Sequence, residues 1–518
     1  MTVHQEPKPP LPITSPTPST NPNGIPSKDQ DIAISLVGLQ PTAVAPSTTR
    51  RAIRKTDRLL IPFMCLGYGL VYYDKAILGS AALFGMTSDL HLSVVLQPSG
   101  KVDTSRLSWA TSLFYFGMLA GLYPLAFLLQ RVDRPRLVLG GVVVLWSGVC
   151  MLTAAVTSWR GLYAQRFALG FVESVIPTAF MTIISGSYTQ EEQSLRQSWW
   201  FSSTGWFTII GGGLNYGFAQ VEGGGLKRWQ YIYLLAGSLT FLFGLACFVL
   251  LPDSPVNAWF LTPEERVAAV ERLRAGQTGV RCVRFKGAQV KEALLDVKVW
   301  LVAVMMASAY TVNGAVSGFG PLIVSTFGWS TLESILFQFP LGGLCLIVIL
   351  ATGFLGSWIP NIRILMLVLC CLPVIAGCAV IWKSEWSHHA AAPVVGYSIT
   401  GTFGGVVSLI ITVGMSNVAG NTKKSFMAAT IFVAYCVGNI IGPQLIRSQT
   451  KAQHYPELWT GLIICYCITI ASSVALYIVL WRANKAKEAL GPVDEDEKAK
   501  LAFQDLTDKE NPYFRYVL

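Results

Sequence analysis

From Leu59 onward the chain alternates apolar stretches of about 20 residues with short polar breaks. A stretch of that length can cross a hydrocarbon layer of roughly 30 Å as a helix. Such stretches fall near 59–82, 107–129, 137–157, 161–186, 199–220 and 229–251. After a charged stretch at 252–298 they recur near 299–327, 332–355, 364–382, 393–416, 425–446 and 459–482. Lipid offers the backbone no hydrogen-bonding partner, so each is predicted as an α-helix. The pattern predicts an all-α polytopic membrane protein with twelve transmembrane helices in two six-helix halves, 59–251 and 299–482. Residues 1–58, rich in Pro, Ser and Thr over most of their length, are predicted as a disordered tail. Residues 252–298 form a central loop, in which Thr262-Pro263-Glu264-Glu265 opens an amphipathic helix to Ala275. Residues 483–518 form a C-terminal tail.

Composition agrees. Hydrophobic residues make up 52% and charged residues 13% of the 518, and mean hydropathy is +0.49. A soluble fold of this size needs more charge to cover its surface. The formal charge of +10 is not a nucleic-acid-binding face. With the N-terminus in the cytosol, the cytosolic segments hold 29 Lys and Arg, the opposite side 8, and the spans 2. That asymmetry predicts both termini inside. Ten of the eleven cysteines fall in spans and read as packing residues. The five histidines fall in the tail or the outer loops, so no metal or catalytic cluster is expected.

The halves echo each other. Gly205, Gly211, Gly212, Gly213 and Asn215 in the fifth span match Gly438, Asn439, Gly442, Pro443 and Gln444 in the eleventh. Gly67 and Gly69 in the first match Asn313, Gly314, Gly318, Gly320 and Pro321 in the seventh. Spans interrupted by Gly and Pro at matched places point to a carrier with its site between the halves. Close helix packing is the competing explanation.

Ionisable groups inside spans are costly and mark function by default. Four lie deep in the spans: Asp74 and Lys75 in the first, Arg166 and Glu173 in the fourth. Asp74 and Arg166 lie at similar depth, roughly 8–12 Å below the outer surface. Glu173 follows Arg166 by seven residues on one face, as a lone carboxylate near the midplane. A guanidinium grips a carboxylate with two hydrogen bonds. A carboxyl in low dielectric can be carried protonated. Arg166 and Lys75 are therefore candidates for binding an anion, with Tyr72, Asn313 and Asn439 as polar contacts. Glu173 and Asp74 are candidates for proton coupling. Fixed structural ion pairs and hydrogen bonds across helices are the alternative for each.

Several stretches together resemble the major facilitator superfamily, and within it the fungal allantoate permease-like group of the anion:cation symporter branch. They are Tyr72-Tyr73-Asp74-Lys75, Arg166-Phe167-Ala168-Leu169-Gly170-Phe171-Val172-Glu173 with Pro177, Arg196-Gln197-Ser198, Leu251-Pro252-Asp253-Ser254-Pro255, and Val437 to Gln444. The resemblance covers roughly residues 55–490. It implies proton-linked uptake of small carboxylates such as ureides or vitamins, with Arg166 at the anion and Glu173 at the proton. Lys75 stands where that group usually has Arg.

The expected function is secondary active transport: proton-coupled symport of a small organic anion into a fungal cell. An efflux carrier and a nutrient sensor on a transporter scaffold are the alternatives. No cofactor is expected beyond the proton gradient as energy source. The expected partners are a small organic anion, protons and the lipid bilayer, with no nucleic acid, in a monomer of the plasma membrane.

Overall fold

The computed structural model describes residues 36, 44–96, 101–132, 134–221, 225–275, 286–386, 390–489 and 505–518. Most of the tail expected at 1–58, part of the central loop and residues 490–504 lie outside them.

The first half comprises α1 (Pro46–Ala81), α2 (Ser105–Arg131), α3 (Pro135–Leu152), α4 and α5 (Trp159–Glu173, Val175–Ser187), α6 and α7 (Gln190–Phe201, Ser203–Ala219) and α8 (Arg228–Leu250). Two short helices follow, α9 (Pro263–Ala275) and α10 (Gly287–Leu294). The second half comprises α11 (Val297–Ser325), α12 and α13 (Thr331–Leu336, Gln338–Trp358), α14 (Arg363–Lys383), α15 and α16 (Ala391–Ile399, Phe403–Ser416), α17 (Asn421–Gln444) and α18 (Pro456–Glu488). With α4–α5, α6–α7, α12–α13 and α15–α16 each forming one interrupted span, these make twelve crossings among the described residues. The start of α1 and the end of α18 therefore share a face, the terminal face. The only strands among the described residues are the antiparallel pair Val94–Leu96 and Lys101–Asp103, between α1 and α2.

Ten of these spans are long and apolar enough to cross a membrane on their own, among the described residues. The other two are α1 and α6–α7. They fall short because they carry Asp74, Lys75 and a run of Ser, Thr, Gly and Asn. In lipid such residues are tolerated only against protein or a cavity, so the two least apolar spans already point inward.

Two of the four interruptions have a proline behind them. Proline has no N–H for the carbonyl four residues earlier. Pro177 thus leaves Glu173 unbonded, and the helix breaks at Ser174; Pro340 leaves Leu336 unbonded, and it breaks at Phe337. Across the halves α7 and α13 approach until a Cβ on Gly205 would lie 2.7 Å from the Gly342 carbonyl oxygen. A Cβ on Gly438 would lie 2.3 Å from Ala307 O. At both positions packing accounts for the glycine.

Two differences from the sequence reading concern the tails. Helix α1 begins at Pro46, so residues 46–58 are helical and not disordered. Ala52 packs with Ala258, Leu261 and Ala269, and Lys55 Nζ lies 2.7 Å from Glu265 Oε2 on α9. Burying that face against α9 offsets the ordering entropy. Helix α9 itself starts as expected, with Thr262 and Glu265 capping each other. Residues 505–518 fold back onto the terminal face of the second half. Asp508 Oδ1 lies 2.6 Å from Lys423 Nζ, and its other oxygen meets Lys298. The Asn417 side chain exchanges two hydrogen bonds with the Val517 backbone, and that of Asn484 two with Tyr516. One strap thus joins the ends of α11, α16, α17 and α18.

Candidate functional site

On α1, Tyr68, Tyr72 and Lys75 follow each other at helical spacing and share one face. That face meets the second half. Together with Phe201 and Thr204 these three form one wall of a central cavity; Tyr310, Asn313, Phe403 and Tyr435 form the other. The cavity is nearly closed, about 10 Å³, close to the least that holds one water. Phe201 adjoins the break at Ser202, and Phe403 follows the 3₁₀ turn Thr400–Thr402. Phe201, Thr204 and Phe403 thus sit beside interruptions, while the other six lining residues are carried by the unbroken α1, α11 and α17. A separate cavity of about 340 Å³ lies at the terminal face, lined among others by Leu60, Ala179, Arg272 and Phe426.

Lys75 is the charged residue in this wall. Its Nζ lies 2.8 Å from Glu173 Oε1, with Lys75 9% and Glu173 0% exposed. The contact is an ion pair without hydrogen-bond alignment, and neither Glu173 oxygen has a hydrogen-bond partner among the described residues. The same ammonium sits 5.4 Å from the Phe114 ring centre and 5.5 Å from that of Tyr435. Glu173 is thus not the lone carboxylate expected from its own helix. Its cation comes from α1, and spacing along α4 carries no information about that neighbour.

Asp74, one residue before Lys75, points about 100° away, into the core of the first half. It is 0% exposed, and its Oδ2 accepts from Trp146 Nε1 at 2.9 Å. Arg166 donates to the Tyr233 hydroxyl and lies 5.7 Å from that ring's centre. Oδ1 of Asp74 and Nε of Arg166 have no hydrogen-bond partner among the described residues. The depth match of the two did not predict this arrangement, in which a Trp and a Tyr hold one charge each and no salt bridge joins them among the described residues. Arg166 is 2% exposed and stands behind the cavity wall, whereas Lys75 stands in it.

Of the other polar candidates, Tyr72 and Asn313 line the cavity and Asn439 does not. Asn313 Nδ2 donates to Asn439 Oδ1 at 2.8 Å, and Asn439 donates to Tyr435 O. Asn439 therefore orients a lining residue from behind. Asn215 bonds Tyr73 and Ser80, Gln444 bonds Ser112, and Gln338 bonds Tyr397. These three make hydrogen bonds across helices. The lining residues Tyr310 and Tyr435 were not singled out from sequence. Their signal was available: Tyr310 precedes Asn313 by three residues and Tyr435 precedes Asn439 by four, so each shares a helix face with an in-span Asn.

A sequence profile described as the Major Facilitator Superfamily matches residues 64–443. The chain belongs to this superfamily. It is 30% identical over 490 residues to the allantoate permease of Saccharomyces cerevisiae, covering 92% of this chain and 88% of that one. It is 30% identical over 473 residues to the thiamine pathway transporter THI73 of the same yeast, covering 90% and 86%. The fold matches the proton:xylose symporter XylE with a TM-score of 0.62 at 15% identity, covering 81% of this chain and 94% of that one. This facilitator is accordingly a secondary active transporter of small organic substrates and not an enzyme. The twelve helices in two six-helix halves are the facilitator fold.

Proposed function

We propose that this chain couples entry of a small organic anion to entry of a proton, with Lys75 and Glu173 as the coupling pair. The observation that carries the reading is the 2.8 Å contact of Glu173 with Lys75, the lysine that lines the nearly closed cavity. Glu173 and a substrate carboxylate compete for one ammonium. While Glu173 is charged it holds Lys75 and repels a second carboxylate. Protonation frees the ammonium, and the arriving anion restores the balance of one cation to one anion. An unpaired charge in low dielectric is costly, so the carrier closes either with Glu173 charged and no substrate, or with Glu173 protonated and substrate bound. One proton then travels with each anion. Similarity to an allantoate permease supports the anionic substrate.

Arg166 and Asp74 act from behind this pair. The guanidinium supplies fixed positive charge to the first half, and Asp74 is the second proton-handling carboxyl. Tyr72 and Asn313 contact the substrate, and Asn439 holds Asn313. The terminal face is cytosolic in a plasma-membrane carrier, as the Lys and Arg asymmetry supports; an epitope at residue 20 should be labelled only after permeabilisation.

The test uses Glu173→Gln, which is locked neutral. Metabolite profiles of cells with and without the chain supply the carboxylate to be measured. In proteoliposomes the wild type should accumulate it uphill when the outside is acid. Glu173→Gln should lose that accumulation and keep exchange of labelled for unlabelled substrate. Uphill accumulation by Glu173→Gln with an unchanged pH profile removes Glu173 from the coupling step.

A further inference from the structure

Six of the residues lining the central cavity are aromatic: Tyr68, Tyr72, Phe201, Tyr310, Phe403 and Tyr435. They come from both halves, so the rings close on whatever occupies the cavity. Several already pack edge to face. Tyr310 and Tyr435 have ring centres 4.4 Å apart at 73°, and behind the wall Tyr68 meets Trp200 at 4.7 Å and 85°. Aromatic rings present a negative face and a positive edge, and such tilted arrays are favoured over aliphatic contact of equal area. Lys75 is the charged member of the lining, while Arg166 and Asp74 are walled off.

We propose that the substrate is a flat aromatic or heteroaromatic monocarboxylate, its carboxylate on Lys75 and its ring inserted among the tyrosines and phenylalanines. This rests on the anion reading above and adds two restrictions to it. One cation in the lining selects one negative charge, because a second carboxylate would be desolvated without a partner. The ring faces select a flat body. A permanent cation, the other common guest of an aromatic enclosure, is disfavoured by the Lys75 ammonium already lying against Phe114 and Tyr435.

Benzoate and cyclohexanecarboxylate separate these ideas. Both are six-membered-ring monocarboxylates, one flat and one puckered. Burial of apolar area alone favours the cyclohexane ring at least equally, whereas ring pairing favours benzoate. Binding would be read as the rise in melting temperature of the purified full chain in detergent at mildly acidic pH. Benzamide serves as the uncharged control. Benzoate should bind roughly tenfold more tightly than cyclohexanecarboxylate, the size of one or two ring pairs. Benzamide should bind far more weakly. Phe403→Leu, which keeps an apolar side chain and removes a ring, should weaken benzoate more than cyclohexanecarboxylate and so shrink the preference between them. Equal or tighter binding of cyclohexanecarboxylate overturns the aromatic restriction and leaves the anion reading standing. Benzamide binding as well as benzoate, with benzoate binding undiminished in Lys75→Met combined with Glu173→Gln, overturns the anion reading instead. Stabilisation by none of the three overturns both.

Discussion

In the first half of this facilitator, Asp74, Lys75, Arg166 and Glu173 lie inside the bundle, each at most 9% exposed. In the second half the cavity wall is Tyr310, Asn313, Phe403 and Tyr435, and the main buried charge cluster sits at the terminal face. There Lys298, Lys423, Asp296 and Asp508 interlock, with Lys423 2.8 Å from Asp296 and 2.6 Å from Asp508. The two clusters differ in how fully they are satisfied. The terminal-face cluster is closed: Lys423 alone has three carboxylate partners, Glu292, Asp296 and Asp508. The bundle cluster leaves Asp74 Oδ1, Arg166 Nε and both Glu173 oxygens without hydrogen bonds among the described residues. A satisfied network rigidifies. An under-satisfied one keeps groups available for a proton or an anion. On the proposed reading, the first half carries the coupling chemistry and closes against a second half stiffened at the terminal face, each half lending three aromatic rings to the cavity.

Breaking the active pair should have the largest effect. Lys75→Met leaves Glu173 without its cation in the bundle. Removing one partner of a buried pair costs about 3–5 kcal/mol, so surface expression should fall sharply and uptake should vanish. Lys75→Met with Glu173→Gln removes both charges and should recover folding, read as melting temperature, without recovering uptake. If the double variant folds no better than the single one, the contact between Lys75 and Glu173 is not what the fold depends on.

A smaller effect is expected behind the wall. Arg166→Lys keeps the charge but loses the planar contact with Tyr233. It should reduce uptake partially, and Tyr233→Phe should reduce it comparably, because both break the same hydrogen bond. An Arg166→Lys variant that loses substrate binding outright, beside a silent Tyr233→Phe, would mean that Arg166 reaches the substrate in another conformation of the carrier. That outcome would narrow the difference between wall and backing drawn above.

The sequence made one half of this comparison easier to see than the other. Apolar length marked ten of the spans outright and the other two less sharply, and the expense of charge in lipid singled out the four bundle residues, since both follow from local composition. The partner of Glu173 was not legible. Lys75 is 98 positions away on a helix whose crossing with α4 is set by packing. Nor did depth along two helices say that Trp146 and Tyr233 would hold Asp74 and Arg166. The strap was hidden for another reason. Residues 505–518 are polar and short, and their order comes from fitting Asn417, Asn484 and Lys298, which are scattered over more than 180 positions.

The strap offers the finest test, because it should matter for rigidity and not for coupling. Burial alone would raise the Asp508 carboxyl, but Lys298 and Lys423 outweigh it and push it down to about 2 from an ordinary 3.8. The docked carboxyl therefore has the lower pKa. Its contribution is fully present above about pH 4 and is lost as pH falls through about 2. That difference is on the order of 2 kcal/mol of docking free energy. Amide exchange over 505–518 should be slow at neutral pH and speed up between about pH 4 and pH 2. Asp508→Asn should be fast throughout, since the strap then loses its own charge to Lys298 and Lys423, which keep Asp296 as their shared counter-charge. Its melting temperature should drop by a few degrees, while its uptake keeps the wild-type dependence on outside pH. Protection of 505–518 that persists unchanged below about pH 2 would show that the Asn417 and Asn484 hydrogen bonds hold the strap without the ion pairs. A shifted uptake profile in Asp508→Asn would instead join the terminal-face cluster to coupling, and the contrast between the halves would fail.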